Sequence, residues 1–309
     1  MSRVSAFRAL RPKPEAVARV ASVPYDVVST NEAKVLAHDN PLSALHISRA
    51  EIDLPADTDP YSSAVYEQAA TNFSLLKSSA PLIVEEQPSL YIYRLRMGTH
   101  EQIGVAGCYS LDDYDKNVIR KHEHTRREKE DDRTHHMLEL RAQMGPVFLT
   151  YRTSTTVDAL VSTVVSTQPP LFDFMAPDQV QHTLWRAEAS QSSSLVAAFE
   201  EVPTLYIADG HHRMGALQDI NKNNLLVGKA LQHGLVTSTI VTSIIFGASP
   251  ISLQFWFKDL RPYHFRTQNH HYSSYELSEQ HSILEEFVDV IEDDAIVSAE
   301  HFFAPHLFR

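Results

Sequence analysis

The stretch Leu205-Tyr206-Ile207-Ala208-Asp209-Gly210-His211-His212-Arg213 constrains this chain more than any other. Val202, Leu205, Tyr206, Ile207 and Ala208 form a short apolar run of the length and type expected of a covered strand. From His211 onward, Met214, Ala216, Leu217 and Ile220 recur at roughly helical spacing. A strand therefore gives way to a helix across Asp209-Gly210, and Gly210 permits the tight reversal or a close approach of backbone to a ligand. His211, His212 and Arg213 then lie on the first turn, where free backbone N–H groups attract anions and a guanidinium grips a phosphate or carboxylate with its planar fork. Asp209, at the strand's end, is placed to hold a metal, orient a histidine or accept a proton. The plainer alternative is that Asp209 caps the helix while the histidines pack or face water.

The chain is 309 residues long, enough for a large core in one complex domain or two. Its net charge of -12 argues against nucleic-acid and acidic-membrane partners, which it would repel, but leaves room for a local anion pocket. Cys108 is the single cysteine, which excludes disulfides within the chain and thiolate zinc clusters and points to a reducing compartment. No stretch is apolar and long enough for a signal peptide core or a membrane span. The expectation is a cytoplasmic globular protein with a small-molecule substrate, no nucleic acid or membrane partner, and its oligomeric state left open.

Along the chain, Pro24-Tyr25-Asp26 forms a proline-fixed turn, with Asp26 either a site acid or a turn former. Ser29 or Thr30 caps a helix carrying Glu32, Ala33, Val35 and Leu36. Ser43 to Ser48 reads as a strand, Tyr61 to Ser78 as an amphipathic helix, and Leu82 to Val84 and Leu90 to Met97 as strands. Gly98 turns the last of these into Ile103 to Leu111 as an antiparallel hairpin. The polar run Lys121 to His136 enters a helix through Met137, Leu138 and Leu140, and its charges from Arg126 to Arg133 read as a solvated face. Pro146 to Tyr151 and Val180 to Trp185 read as strands, Ser194 to Phe199 as a helix, and Thr156 to Ser166 suits either. Beyond Asn224, Leu235 to Phe246 reads as a strand and His281 to Val290 as a short helix. Leu253 to Leu260 is aromatic, His264 to Tyr275 is polar without periodicity, and the apolar tail 302–309 is expected to dock. Strands and helices mix throughout, which predicts an α+β (mixed α/β) fold.

These segments resemble the family known as domain of unknown function 1015. The resemblance is carried by Pro24-Tyr25-Asp26-Val27-Val28-Ser29, Asn40-Pro41, Asp59-Pro60, Lys121-His122-Glu123 with Thr125, Lys129-Glu130-Asp131-Asp132-Arg133-Thr134, Gly145-Pro146-Val147-Phe148 and Asp209-Gly210-His211-His212-Arg213. It runs over roughly residues 6–217, implying a family-like domain over 1–224 and a divergent, shortened carboxyl-terminal region over 225–309. The last motif is also similar to the Asp-Gly-x-His-Arg signature of ParB/sulfiredoxin-like proteins, including nucleotide-dependent free serine kinases. That similarity implies a ParB/sulfiredoxin-like core, a mixed sheet with flanking helices, holding nucleotide phosphates at this turn.

Three functional readings follow. In the first, the chain is a nucleotide-dependent phosphotransferase or nucleotide hydrolase acting on a small molecule, with ATP or ADP and Mg²⁺ as cofactors. Gly210, His211, His212 and Arg213 would cradle the phosphates; Asp209, His212, Lys121 and Glu123 would act in catalysis; Asp209 and His122 are the candidate metal ligands. In the second, the chain senses nucleotides without chemistry. In the third, it is a metal-dependent hydrolase on Asp209, His211, His212 and His122. No Walker loop, nucleophile elbow, Rossmann glycine fingerprint or H-E-x-x-H helix occurs.

Overall fold

The computed structural model describes residues 2–223 and the backbone of a strand at 240–247. In chain order the first elements are strands β1 (Val4–Ser5) and β2 (Leu10–Pro12) and helices α1 (Pro14–Val20), α2 (Thr30–Ala37) and α3 (Leu45–Ser48). A 3-10 turn at Ala50–Asp53 leads to α4 (Ser63–Ser79), β3 (Leu82–Val84), β4 (Tyr91–Met97), β5 (His100–Ser110), α5 (Leu111–Asp115) and β6 (Ile119–Arg120). Then follow α6 (Arg127–Leu140), β7 (Val147–Tyr151), α7 (Thr155–Thr167), β8 (Phe172–Met175), β9 (Gln181–Arg186), α8 (Ala189–Glu200), β10 (Leu205–Asp209), α9 (His211–Lys222) and β11 (Ile240–Gly247). The fold is mixed α+β. Among the described residues no helix is long and apolar enough to cross a membrane.

Nine of the described strands form one sheet in the order β6-β10-β7-β11-β5-β4-β9-β8, with β1 pairing to β5. Most neighbours are antiparallel, while β10–β6 and β11–β7 run parallel. Gly98 adopts φ 57°, and the two-residue connection Gly98-Thr99 places Met97 opposite His100. Such a left-handed start matches the twist of a tight hairpin. β11 lies beyond the change of sequence pattern at Asn224, yet it is an internal strand, paired to β7 on one side and β5 on the other.

Alternation along the strands divides the sheet into two faces. Leu90, Ile92, Val105, Val147, Leu149, Leu205 and Ile207 join Val157, Val161 and Val164 of α7, Leu195 and Phe199 of α8 and Met214, Leu217 and Ile220 of α9 in the main core. Tyr93, Leu95 and Phe148 point the other way and meet residues of α1 across a cleft. A second core of Ile47, Val65, Ala69, Leu76 and Leu140 ties α3, α4 and α6 together.

Local rules account for several helix starts. Ser29 and Glu32 form a reciprocal capping box at α2, Ser154 caps α7, and Pro14 opens α1 in the first turn, where its missing N–H costs nothing. Thr156 to Ser166, compatible with either element, is the helix α7. The expected strand over Ser43 to Ser48 is instead the helix α3. Leu45 and Ile47 are both buried there, but they face two different small cores, so their alternation came from two contacts on a helical turn. The expected solvated face over Arg126 to Arg133 is also corrected: Asp132 and Arg133 are buried, at 7% and 8% exposure. The readings of 253–260, 264–275, 281–290 and 302–309 fall outside the described residues.

His136 of α6 is buried, and its Nε2–H donates to the Ile47 carbonyl at 3.0 Å. Burial, and then the nearby Arg133, hold its pKa down at about 4 against an ordinary 6.5. Between those values the unfolded chain binds a proton that the folded chain refuses, so stability is lost as pH falls from about 6.5 to about 4. The full shift corresponds to at most about 3 kcal/mol. Melting curves across this window should therefore fall less steeply for His136→Gln, which can keep the bond to Ile47, than for the parent. Equal slopes would mean that His136 does not carry the effect.

Candidate functional site

The site grows from an irregularity in β10. Tyr206 lies opposite Thr150 and Ile207 opposite Leu149, but the register then slips, and Asp209 pairs with Phe148. In regular alternation Asp209, two residues after Ile207, would point into the apolar core. The bulge turns its side chain to the other face, beside Phe148 on the cleft lining.

Gly210 follows as the N-cap of α9, with φ 92° and ψ 25°. A Cβ built there would lie 3.0 Å from Arg213 Nε and 3.3 Å from Val147 Cα, in a conformation that L side chains rarely adopt. Bare backbone at this position lets the Arg213 guanidinium fold back against the turn. Arg213 is 4% exposed and hydrogen-bonds to the Asp209 carboxylate, while Asp26 Oδ2 stands 3.9 Å from Nη1. Nε of Arg213 is buried without a hydrogen-bond partner. Burial raises the Asp209 pKa, and Asp26 adds to the rise; Arg213, His211 and the Gly210 N–H pull against it. Burial wins.

Asp209 and Arg213 line a cleft of about 490 Å³. Its walls are apolar: Val17 and Val20 from α1, Tyr25 from the following turn, Leu95 and Phe148 from the sheet, and Met144 from the loop before β7. The volume falls in the range of small-molecule sites, as does the pattern of apolar walls with a few convergent polar groups.

A second cluster lies on the other side of the same helix start. β6 runs parallel to β10, so the segment after Arg120 passes beside Asp209 and Gly210. The His122 ring packs edge-on against His211 at 4.5 Å, and Glu123 Oε1 meets His211 Nδ1 at 3.1 Å. That bond holds the Glu123 carboxyl below its ordinary range. Burial, then the charge of His211, lower the His122 pKa to about 4. His212 accepts the Arg126 backbone N–H on Nε2 at 3.2 Å, and burial lowers its pKa too.

The structure thus gathers Asp209, Gly210 and Arg213 at the cleft, and His122, Glu123, His211 and His212 on the flank of α9. It does not bring Lys121 to either group. The Lys121 ammonium sits over the Tyr114 ring at 5.2 Å and makes no ion pair with Asp209 or Glu123. Asp209 and His122, the candidate metal ligands, take different partners, Arg213 and His211. Among the described residues no three His, Cys, Asp or Glu side chains converge as a metal site.

One group escaped the sequence reading. The Arg133 guanidinium stacks 4.0 Å over the Tyr25 ring and bonds to Asp132 through Nε and Nη2, at 2.9 and 2.6 Å. Tyr66 donates to the other oxygen of Asp132 at 3.0 Å. Tyr25 lines the cleft and feels both arginines, Arg133 and Arg213, though burial is the chief cause of its raised pKa. A sequence signal existed: Arg133, Met137 and Leu140 stand four and three residues apart, on one helical stripe, which places Arg133 with the apolar side of α6.

Residues 4–236 match the family described as "Protein of unknown function (DUF1015)", and the chain belongs to that family. No curated protein and no solved structure matches it.

Removing one member of a buried pair leaves an uncompensated charge. Asp132→Ala should therefore destabilise the fold by about 3–5 kcal/mol, whereas Tyr66→Phe, which removes one hydrogen bond to a charged group, should cost about 1.5–3 kcal/mol. Denaturant unfolding checks both, and a smaller loss for Asp132→Ala than for Tyr66→Phe would contradict the arrangement.

Proposed function

We propose that this chain is a nucleotide-dependent phosphotransferase acting on a small molecule, with ATP or ADP as donor and the turn Asp209 to Arg213 as its phosphate cradle. The observation that carries the reading is the buried Arg213 guanidinium, folded against a side-chain-free turn at a helix start, with Nε lacking a partner. A helix N-terminus with a planar cation on its first turn supplies donors and positive potential to a phosphate. His211 and His212 share that turn and frame it from the opposite flank.

Asp209 supplies the complementary chemistry. Its raised proton affinity moves a carboxylate toward the role of a base for an attacking hydroxyl. Mg²⁺ travels with nucleotide phosphates and needs only one or two protein carboxylates. Asp26, beside the same guanidinium, is a hard oxygen donor and fits that requirement, which leaves Asp209 to take the proton. Bound there, the ion would offset charge on the phosphates. A nucleotide-sensing module without chemistry is the second reading; the ion pair between Asp209 and Arg213, which engages the base with the cradle, favours it.

Calorimetric titration with nucleotides, with and without Mg²⁺, tests the proposal. Arg213→Ala should weaken binding by about 1.5–3 kcal/mol, and Arg213→Lys should restore only part, because an ammonium keeps the charge and loses the fork. Gly210→Ala should weaken binding as well, through the displaced guanidinium. Asp209→Asn should abolish turnover while changing metal-free nucleotide binding little. Absence of turnover in the unmutated protein, with binding intact, selects the sensing module. No heat with any nucleotide, in protein shown to be folded, overturns both.

A further inference from the structure

The apolar cleft has a composition that a phosphate cradle does not need. Val17, Val20, Leu95 and Leu184 are among its mainly apolar walls, and besides Asp209 and Arg213 the polar side chains on the lining are Ser22, Tyr25, Ser48, Tyr93 and Gln102. Tyr93 is one, but its hydroxyl is already engaged with His182 Nδ1 at 2.5 Å. Ser48 is another, and its Oγ is buried without a hydrogen-bond partner. The polar end is made by Asp209 and Arg213, with Asp26 beyond.

These facts restrict what could lie there. A polyhydroxylated or zwitterionic molecule would leave most of its polar groups facing aliphatic walls, at a desolvation penalty for each. An anionic acceptor would compete with the nucleotide phosphates for the one guanidinium of the lining, Arg213. A neutral molecule with an apolar body and one hydroxyl at its end meets neither objection. Its body would displace water from the walls, and its hydroxyl would reach the polar end.

We propose that this cleft is the acceptor subsite, and that it takes a compact neutral alcohol with an apolar aliphatic or aromatic body. The proposal rests on the phosphotransferase reading and names its acceptor class. In the step it implies, the alcohol oxygen forms a bond to the terminal phosphorus of the nucleotide. The bond from that phosphorus to the bridging oxygen breaks, and the shortened nucleotide leaves with the electron pair. The hydroxyl proton passes to the Asp209 carboxylate. Ser48 hydrogen-bonds any second polar atom and so sets a preference among alcohols.

Phosphorus NMR of the full chain with Mg²⁺ and ATP or ADP would follow transfer to 2-phenylethanol and cyclohexylmethanol, against serine, glycerol and glucose. The two apolar alcohols should be phosphorylated, at least tenfold faster at equal concentration than the polar ones. Val20→Trp on α1 and Met144→Trp on the loop each fill the cleft from a different element, and either should raise KM for the apolar alcohols at least tenfold. Calorimetry with nucleotide alone reads the cradle separately. Nucleotide binding together with transfer only to serine, glycerol or glucose, or with no transfer at all, overturns the acceptor class and leaves the cradle standing. Unchanged KM in both folded variants overturns the location. No nucleotide binding overturns this proposal and the reading it rests on together.

Discussion

A guanidinium cannot be withdrawn from water without compensation, and the buried Arg213 sets the terms for everything around it. A carboxylate has to reach it, which the slipped register of β10 achieves by turning Asp209 out of the core. Backbone has to make room for it. Gly210 does so at the helix start, while Gly145, at φ 77°, faces it from the loop before β7, where an added Cβ would meet Nη1 at an ordinary contact distance of 3.7 Å. Remove the carboxylate or add a side chain at Gly210, and the arginine must lose its partner or swing outward. The pairing of β10 with β7 is therefore part of the site as well as of the sheet.

The same economy of space appears where α6 crosses α9. Gly215 lies against the Glu130 side chain so closely that a Cβ would collide with its carboxylate, which in turn accepts the Thr125 hydroxyl at 2.8 Å. Arg127 reaches Asp219 across the same contact at 3.1 Å. The two helices that carry Arg133 and Arg213 are thus fixed to each other close to the strand ends that supply His122, Glu123 and Asp209. In a chain of net charge -12, each of these two arginines is buried with acidic partners. The charge these arginines offer is local, and its reach depends on how little water enters.

Much of this was legible in the residues. The apolar run to Ala208 and the helical spacing after Gly210 located β10 and α9, and the match over residues 4–236 agrees with the motifs that carried the family resemblance. Leu90 to Met97 and Gly98 announced the hairpin. Three things were hidden, each for a physical reason. Leu45 and Ile47 alternate like strand residues because a helical turn can serve two cores at once. Asp132-Arg133 sits in a run of mixed charge, and local composition cannot tell a solvated pair from one stacked on Tyr25. The bulge before Asp209 changes which face that side chain occupies, and no spacing rule reports it, because the extra residue is defined by the partner strand. Lys121 adjoins His122 and Glu123 in sequence, but its long side chain lies over the Tyr114 ring.

The place of β11 bears on how the protein is made. It is the strand that joins β7 to β5, and so joins the β6-β10-β7 group to the β5-β4-β9-β8 group, yet it comes last in the order of the described elements. Until the ribosome has delivered residues 240–247, β5 and β7 each present open N–H and C=O groups with nothing between them. Exposed edges of this kind recruit strands from other chains. The nascent polypeptide therefore passes through a stage at which α9 is already synthesised while its sheet is still in two parts, and the risk of misassembly is concentrated in that interval.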